Sequence, residues 1–471
     1  MNFDFTSFFY QQLETIPPSP LGAGWWFFTH GGYLVVLFFM LITLVVWWKN
    51  KKQHDFEHNT KFALLAIDVP KDTAQTPLAV ESIFSGLSGA WSAGTRRERW
   101  LQGYWNLPFS FEIVSLGGYT QFLIRTPDHF RDLVEAAVYA QYPTAEITEV
   151  QDYVDRILVY FDDEKYKLWG TEFVLEKKWV YQIRTYPEFE KMLAEEFKDP
   201  MAHLLEVMSR IRPEEDVWLQ FLIMPIKDDW KVESAHEVKK LVSSEEKGHG
   251  LIYWLFIQMP FRVMYDLFEA VIAGIFEPSE AHEEAVKKAK SITDLTPGQK
   301  KVVEAIEAKA SKTGFLVKFR MVYWGEKEVF VKGRGISAVV GAIKQFSNPT
   351  LNGFKPSSLV TTDDKLFLFP HSRLLTKQHS LLRAYRRRNA HHGAGHGFIM
   401  NIEELATLYH FPVMTVKAPF VSKTESKTSE PPIALPMFRP RYIREADSVP
   451  AMTSTGETGA GAVPSNLPFV E

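Results

Sequence analysis

The longest apolar stretch of the chain runs from Trp25 to Trp48 without a charged residue. As a helix rising ~1.5 Å per residue, it is long enough to cross a hydrocarbon layer of ~30 Å. Paired indole rings at both edges and a basic flank are typical of a membrane anchor, here Trp25, Trp26, Trp47, Trp48, Lys49, Lys51 and Lys52. The pattern predicts a transmembrane helix over 25–48, with a helix buried in a globular core as the alternative.

The charges around this stretch predict its orientation. Residues 1–24 contain Asp4 and Glu14 but no Lys or Arg, and basic residues mark the cytoplasmic flank of a membrane span. We therefore expect a single-pass protein of the inner (cytoplasmic) membrane, with residues 1–24 outside and the bulk of the chain in the cytoplasm. A cleaved signal peptide is excluded because the chain begins without a basic segment.

Beyond the anchor, strand-like and helix-like patterns alternate in the order β-α-β-β-α-β, which is typical of a ferredoxin-like unit. One such unit is predicted over 62–150, and a second over 171–361 with a helical insertion at 230–313. The predicted fold class is α+β, with one transmembrane helix, two ferredoxin-like units and a disordered tail over 419–471.

Short signals place some element ends. Gly117-Gly118 predicts a two-residue hairpin between strands 109–116 and 119–125. Thr126-Pro127-Asp128 predicts the start of a helix, with Thr126 as its cap. Thr296 begins a capping box with Pro at the first helical position.

The insertion contains an apolar segment, 250–276, that carries three charges and a proline. Three charges are costly inside lipid, so an amphipathic helix at a lipid surface fits better than a second span. Packing on the core or on a partner is the equal alternative. Its candidate contacts are Leu251, Trp254, Leu255, Phe261 and Leu267.

Net charge is −4 and cysteine is absent, which excludes disulfides, thiolate catalysis and Cys-based zinc sites. Positive charge concentrates in the basic loop that begins the segment 371–418. It predicts a contact with nucleic acid or anionic headgroups through Arg383, Arg386, Arg387 and Arg388, with a solvated loop as the alternative.

No motif for catalysis is present in the sequence. The Gly-x-x-x-x-Gly-Lys-Ser/Thr loop that binds nucleotide phosphates is missing, and acidic residues are scattered in a way that solvation explains. His391, His392 and His396 lie in a glycine-rich stretch that lacks the fixed geometry of a metal site. We expect no catalytic residue, cofactor or metal.

Three segments resemble a known family: VPKDTAQTPLAVESIFSGLSG (69–89), TPDHFRDLVEAAVYAQYPTAEITEVQDY (126–153) and GFIMNIEELATLYHFP (397–412). They are similar to the N-terminal region of membrane-anchored, type IV secretion-like conjugative DNA-transfer proteins, in which a HerA/FtsK-type motor ATPase follows. The closing GAVPSNLPF (461–469) resembles the linker into that motor. Because the nucleotide-binding motif is missing, we expect a motor-less relative, a motor on a separate chain, or a fragment.

The sequence therefore predicts a membrane-anchored, non-enzymatic scaffold or docking component of such a machine. Its expected partners are the lipid bilayer, a separate HerA/FtsK-type ATPase or other secretion-machine subunits, and further copies of itself. A coupling helix is predicted to contact a partner through Leu405, Leu408 and Phe411, with packing on the second unit as the alternative. Two other readings are a nucleic-acid-binding membrane protein and a lipid-surface-binding protein.

Overall fold

The computed structural model describes residues 19–29, 33–70, 75–191, 199–243, 295–363 and 369–412. Their α-helices are α1 (Pro20–Phe27), α2 (Tyr33–Asn59), α3 (Pro77–Leu87), α4 (Arg131–Gln141), α5 (Tyr186–Lys191), α6 (Pro200–Ser209), α7 (Trp230–Ser243), α8 (Pro297–Ser311), α9 (Ala338–Lys344), α10 (Pro370–Arg386) and α11 (Ile402–Leu408). Their strands are β1 (Phe62–Asp68), β2 (Phe109–Leu116), β3 (Tyr119–Pro127), β4 (Glu146–Glu149), β5 (Tyr166–Leu175), β6 (Glu215–Pro225), β7 (Gly314–Glu326), β8 (Phe354–Pro356) and β9 (Phe398–Asn401).

These nine strands form one antiparallel sheet in the order β4-β1-β3-β2-β6-β7-β5-β8, with β9 paired to one end of β7. The predicted α+β class is confirmed. The prediction of two ferredoxin-like units is wrong, because β2 and β6 pair along their length, from Phe109↔Ile223 to Leu116↔Asp216. This pairing makes 62–150 and 171–361 parts of a single sheet.

The predicted transmembrane helix over 25–48 is also wrong. Trp25 and Trp26 lie in α1, and a separate helix, α2, begins at Tyr33. The apolar part of α2 ends at Trp48 after roughly 16 residues, or about 24 Å, and the helix continues as a polar segment. Within the described residues, no helix is both long enough and apolar enough to cross a membrane. The predicted single-pass inner-membrane location depended on this helix and is contradicted by the same finding.

Two of the three predicted element ends are confirmed, and the third is wrong. Gly117 and Gly118 form the two-residue hairpin loop at φ +59° and +90°, as predicted. The capping box at Thr296 is confirmed, since its hydroxyl accepts from the Gln299 amide. Thr126 does not cap a helix, because β3 continues through it and α4 begins only at Arg131.

Hydrophobic cores cover both faces of the sheet. On one face α3, α4, α6, α9 and α11 pack over the larger core, which contains Phe111, Phe221 and Phe319. The other face is covered by α10 and by the turn Tyr153–Arg156. The polar residues described below lie on this second face.

Candidate functional site

Four polar side chains form a row across the centre of the sheet. Glu112 on β2 pairs with Gln220 on β6, which pairs with Arg320 on β7, which pairs with Glu172 on β5. All four are buried. Charged side chains are rarely buried in this way unless each is paired, so the row requires partners from the covering elements.

Arg388, just after α10, supplies the counter-charge at one end of this row. Its Nε and Nη2 atoms donate to the two carboxylate oxygens of Glu112 at 3.0 and 3.1 Å, and Nη2 also donates to Asp152 at 2.9 Å. Burial alone would lower the pKa of Arg388, but the charge of Glu112 raises that pKa well above its usual value. The guanidinium is therefore permanently charged, and the fork geometry fixes the end of α10 on the sheet.

Hydroxyl groups complete the coordination of Glu112. The Tyr153 hydroxyl donates to Oε2 at 2.8 Å, and Ser110 Oγ donates to Oε1 at 2.5 Å. The hydroxyls of Tyr153 and Tyr385 lie 2.9 Å apart. Burial raises the pKa of both tyrosines well above the usual value, so both stay protonated. The two tyrosines therefore act as neutral hydrogen-bonding groups at neutral pH.

The other end of the row holds the glycine-rich segment 389–397. Arg320 Nη2 donates to the carbonyls of Asn389 and His392, both at 2.6 Å. Glu172 accepts from the Ala394 amide at 3.1 Å. Gly393 adopts φ +114°, and a Cβ there would lie 2.0 Å from Glu172 Oε2. The segment is therefore held by hydrogen bonds to its backbone and by the close approach of Glu172 to Gly393.

Two of the four basic residues predicted to contact nucleic acid are used inside the protein. Arg388 is buried, Arg386 pairs with Asp155 at 2.8 Å and also donates to the Ile157 carbonyl. The segment is helical up to Arg386 rather than a basic loop. Arg386 and Arg388 therefore do not contribute to a continuous basic surface at the end of α10.

The two remaining basic candidates lie on the outside. Arg383 is exposed and donates to the Tyr160 hydroxyl at 2.5 Å, and Arg387 is exposed. Two of the four predicted contacts are therefore on the surface, and the other two form ion pairs within the protein.

The predicted coupling helix corresponds to α11, and its three candidate contacts are buried. Leu405, Leu408 and Phe411 are no more than 3% exposed. The Phe411 ring lies 5.1 Å from that of Tyr142 and 5.3 Å from that of Phe122. These side chains pack in the core, as the alternative interpretation held, and are closed to a partner.

A second buried ion pair fixes α11. Lys309 Nζ lies 2.9 Å from Glu404 Oε2, and both side chains are 1% exposed. Burial lowers the pKa of Lys309, and the charge of Glu404 opposes that shift. Glu404 also closes a capping box with Asn401. The ion pair was not predicted from the sequence. The capping box could have been, because a glutamate follows Asn401 by three residues.

The three segments that carried the family resemblance lie together in space. They contain α3, α4 and α11, and α3 packs against both α4 and α11. Lys312 ties them further, at 2.9 Å from Glu81 in α3 and 2.5 Å from Glu403 in α11. The helices of the three segments therefore lie on one face of the sheet.

The histidine cluster serves other contacts. His391 packs on Trp105 with ring centroids 4.7 Å apart, and His392 Nε2 lies 2.8 Å from Ser380 Oγ. Among the described residues, no group of three or more His, Cys, Asp or Glu side chains is placed to hold a metal ion. The interfacial residues predicted at 250–276 lie outside the described residues.

Four of the seven predicted anchor residues are exposed, namely Trp25, Trp47, Trp48 and Lys51, and the other three are half-buried. Trp25 and Trp47 are among the most exposed aromatic side chains, and Trp48 donates to the Trp100 carbonyl at 3.3 Å. Exposed apolar side chains lie on several sides of α2. They are Tyr33, Leu34, Val36, Leu37, Phe38, Phe39, Met40, Leu41, Leu44, Trp47 and Trp48.

A family model matches residues 95–424, about 70% of the chain. The chain belongs to the DUF8128 family. This family is described as a domain of unknown function, so membership assigns no activity. No curated protein matches the chain. The DUF8128 region includes the polar row and Arg388, whereas α1, α2, β1 and α3 precede it.

Proposed function

We propose that this chain is a non-catalytic docking component of a secretion-like DNA-transfer machine, and that copies of it assemble through α2. The observation that carries the proposal is the exposed apolar surface of α2 over 33–48. Large exposed apolar patches on a folded protein mark interaction sites. The machine itself is proposed from the three segments that resemble conjugative DNA-transfer proteins.

The distribution of the exposed side chains favours copies of the same helix as the covering surface. Consecutive residues from Val36 to Leu41 are exposed, so apolar groups point to every side of the helix. A partner that covered one face would leave the others in water. A closed oligomer places the same apolar helix on several sides at once, which is the usual symmetry of self-assembly.

The rest of the described structure suits a rigid docking body. Several buried charges are paired inside the protein, in the polar row of the sheet and in the Lys309–Glu404 pair between α8 and α11. Satisfied buried networks of this kind fix a unique arrangement of the elements around them. ATP hydrolysis is assigned in this proposal to a separate HerA/FtsK-type subunit.

Two-tag co-purification tests the assembly. Full-length chains with different tags are co-expressed, extracted in mild detergent and captured by one tag. The variant carries L37N, L41N and L44N, three residues exposed by 57–60% on one side of α2. The control carries L158N, V232N and L359N, which are exposed elsewhere. We expect capture of the second tag by wild type and control, and loss by the variant.

Either of two results would overturn the proposal. One is that wild type captures no second copy, and vesicle binding by that chain would then assign the helix to lipid. The other is that the α2 variant captures the second tag as well as wild type does. Circular dichroism checks the fold of both variants. We expect both to be folded because the substituted side chains are exposed.

A further inference from the structure

A basic surface forms where the second half of α2 lies against the π-helical turn Glu98–Gln102. Trp48 Nε1 donates to the Trp100 carbonyl at 3.3 Å. Gly103, which follows the turn, lies so close to α2 that an added Cβ would be 2.1 Å from the carbonyl oxygen of Lys52. These contacts hold the two segments side by side, so their charges share one surface.

Six basic side chains belong to this surface: Lys49, Lys51, Lys52, Arg96, Arg97 and Arg99. Within the described part of the chain, none of the six forms an ion pair. The nearest acidic group on the turn is Glu98, whose carboxylate accepts from the Thr95 amide at 2.7 Å. The second half of α2 also carries Asp55 and Glu57, so the two segments together hold six cations and three carboxylates.

The positive field extends to the glycine-rich segment. The charge of Lys49 helps to lower the pKa of His391, behind burial and the charges of Lys318 and His396.

Exposed aromatic rings are interleaved with these cations. Trp47 and Trp48 are exposed by 57% and 41%. Lys51 lies over the Trp47 ring at 5.3 Å from its centroid, and Lys52 lies over Trp48 at 5.1 Å. Unpaired cations beside exposed indoles are the combination that binds phosphates and unstacked bases together.

We infer that this basic surface binds single-stranded nucleic acid, with its cations on the phosphates and its exposed indoles on the bases. The choice of nucleic acid rests on the proposed function. This surface differs from the one predicted at Arg383–Arg388, whose charges are largely paired within the protein. Lysines and arginines that neutralise phosphates release counterions, so the binding weakens steeply with salt.

Fluorescence anisotropy of the full chain with a labelled thymidine oligonucleotide of about 30 nucleotides tests the inference. The variant is R96E/R97E/R99E, and the control K300E/K301E/K344E makes the same charge change at exposed lysines elsewhere. We expect wild type and control to bind at about 50 mM salt and to lose affinity by about 200 mM. The variant should bind at least about 10-fold more weakly, with a shallower salt dependence.

No binding by wild type at low salt, or equal weakening in variant and control, would overturn the inference. A vesicle arm uses phosphatidylglycerol mixed into phosphatidylcholine. Binding to these vesicles without binding to the oligonucleotide would also overturn it and assign the surface to lipid headgroups. The oligomeric state of R96E/R97E/R99E separates this inference from the proposed function. Retained assembly with lost oligonucleotide binding supports the inference, and retained oligonucleotide binding by this variant overturns it. A wild-type chain that binds the oligonucleotide as a monomer counts against the proposed function alone.

Discussion

Arg388 and Glu112 form a bidentate ion pair across 276 positions of sequence, with both side chains buried. The pair joins the end of α10 to the second strand of the sheet. Because Asp152 and Tyr153 contact the same two groups, it also fixes the turn that covers this face. The basic segment at the end of α10 therefore acts as a structural clamp.

Removing the cation of this clamp should strongly destabilise the protein. Arg388→Met leaves the Glu112 carboxylate buried without a counter-charge, and such losses cost about 3–5 kcal/mol. Urea unfolding of the full chain measures the change in the free energy of unfolding. Arg387→Met, at the exposed neighbouring position, should change it by less than about 0.5 kcal/mol. Similar effects for the two variants would contradict the clamp.

Leu405 should behave as a core residue and not as a partner contact. It is 1% exposed, and Leu→Ala substitutions at such positions cost about 2–5 kcal/mol. Leu158→Ala, at a side chain exposed by 69%, is the matched control and should have a much smaller effect. Thermal unfolding distinguishes the two. An unchanged melting temperature for Leu405→Ala would return this residue to the candidate partner surface.

Gly393 should tolerate no side chain. A Cβ would meet Glu172 Oε2 at 2.0 Å, and φ +114° is unfavourable for any other residue. Gly393→Ala should therefore release the segment 389–397 and speed hydrogen exchange of the Ala394 amide, which donates to Glu172. Gly395→Ala is the comparison, because nothing lies within 4 Å of a Cβ there although its φ is also positive. Equal exchange at Ala394 in the two variants would show that contact with Glu172 does not hold the segment.

Asp216 should make stability depend on pH. Burial raises its pKa from 3.8 to about 6, against the opposing charge of Arg156. A pKa that is higher in the folded state means that the folded protein binds this proton more tightly. The contribution is therefore complete below about pH 4 and is lost as the pH rises through about 6.

Asp216→Asn removes this titration. Relative to wild type, the variant should gain about 1–3 kcal/mol between about pH 4 and pH 7, since each pKa unit corresponds to about 1.4 kcal/mol. An asparagine oxygen can still accept from the Gly117 amide, which donates to Asp216 at 3.0 Å. Urea unfolding across this range measures the difference, and parallel pH profiles would rule out a raised pKa at Asp216.

Local patterns predicted the positions of many elements but not how they join. The strand 109–116 is observed with the predicted bounds, and β3 includes the predicted strand 119–125. The junction of β2 with β6 was not foreseen, because one face of each strand is mostly apolar, the other mixes apolar and polar side chains, and neither pattern names the neighbouring strand. Pairing between distant strands also leaves no local periodicity.

The sequence contains a signal for the buried charges, because charged residues interrupt apolar strands. Glu112 interrupts an apolar strand, and Lys318 and Arg320 lie two apart in another, which places them on one face. The sequence reasoning assigned such charges to solvent. Which cation meets which carboxylate depends on the strand register and on the end of α10, and neither is encoded near these residues.

The most direct test of the account is the mass of the full chain by size-exclusion chromatography with light scattering in mild detergent. The account predicts an oligomer for wild type and for L158N/V232N/L359N, and a monomer for L37N/L41N/L44N with an unchanged circular dichroism spectrum. A wild-type chain that runs as a monomer, with only detergent bound to α2, would contradict it.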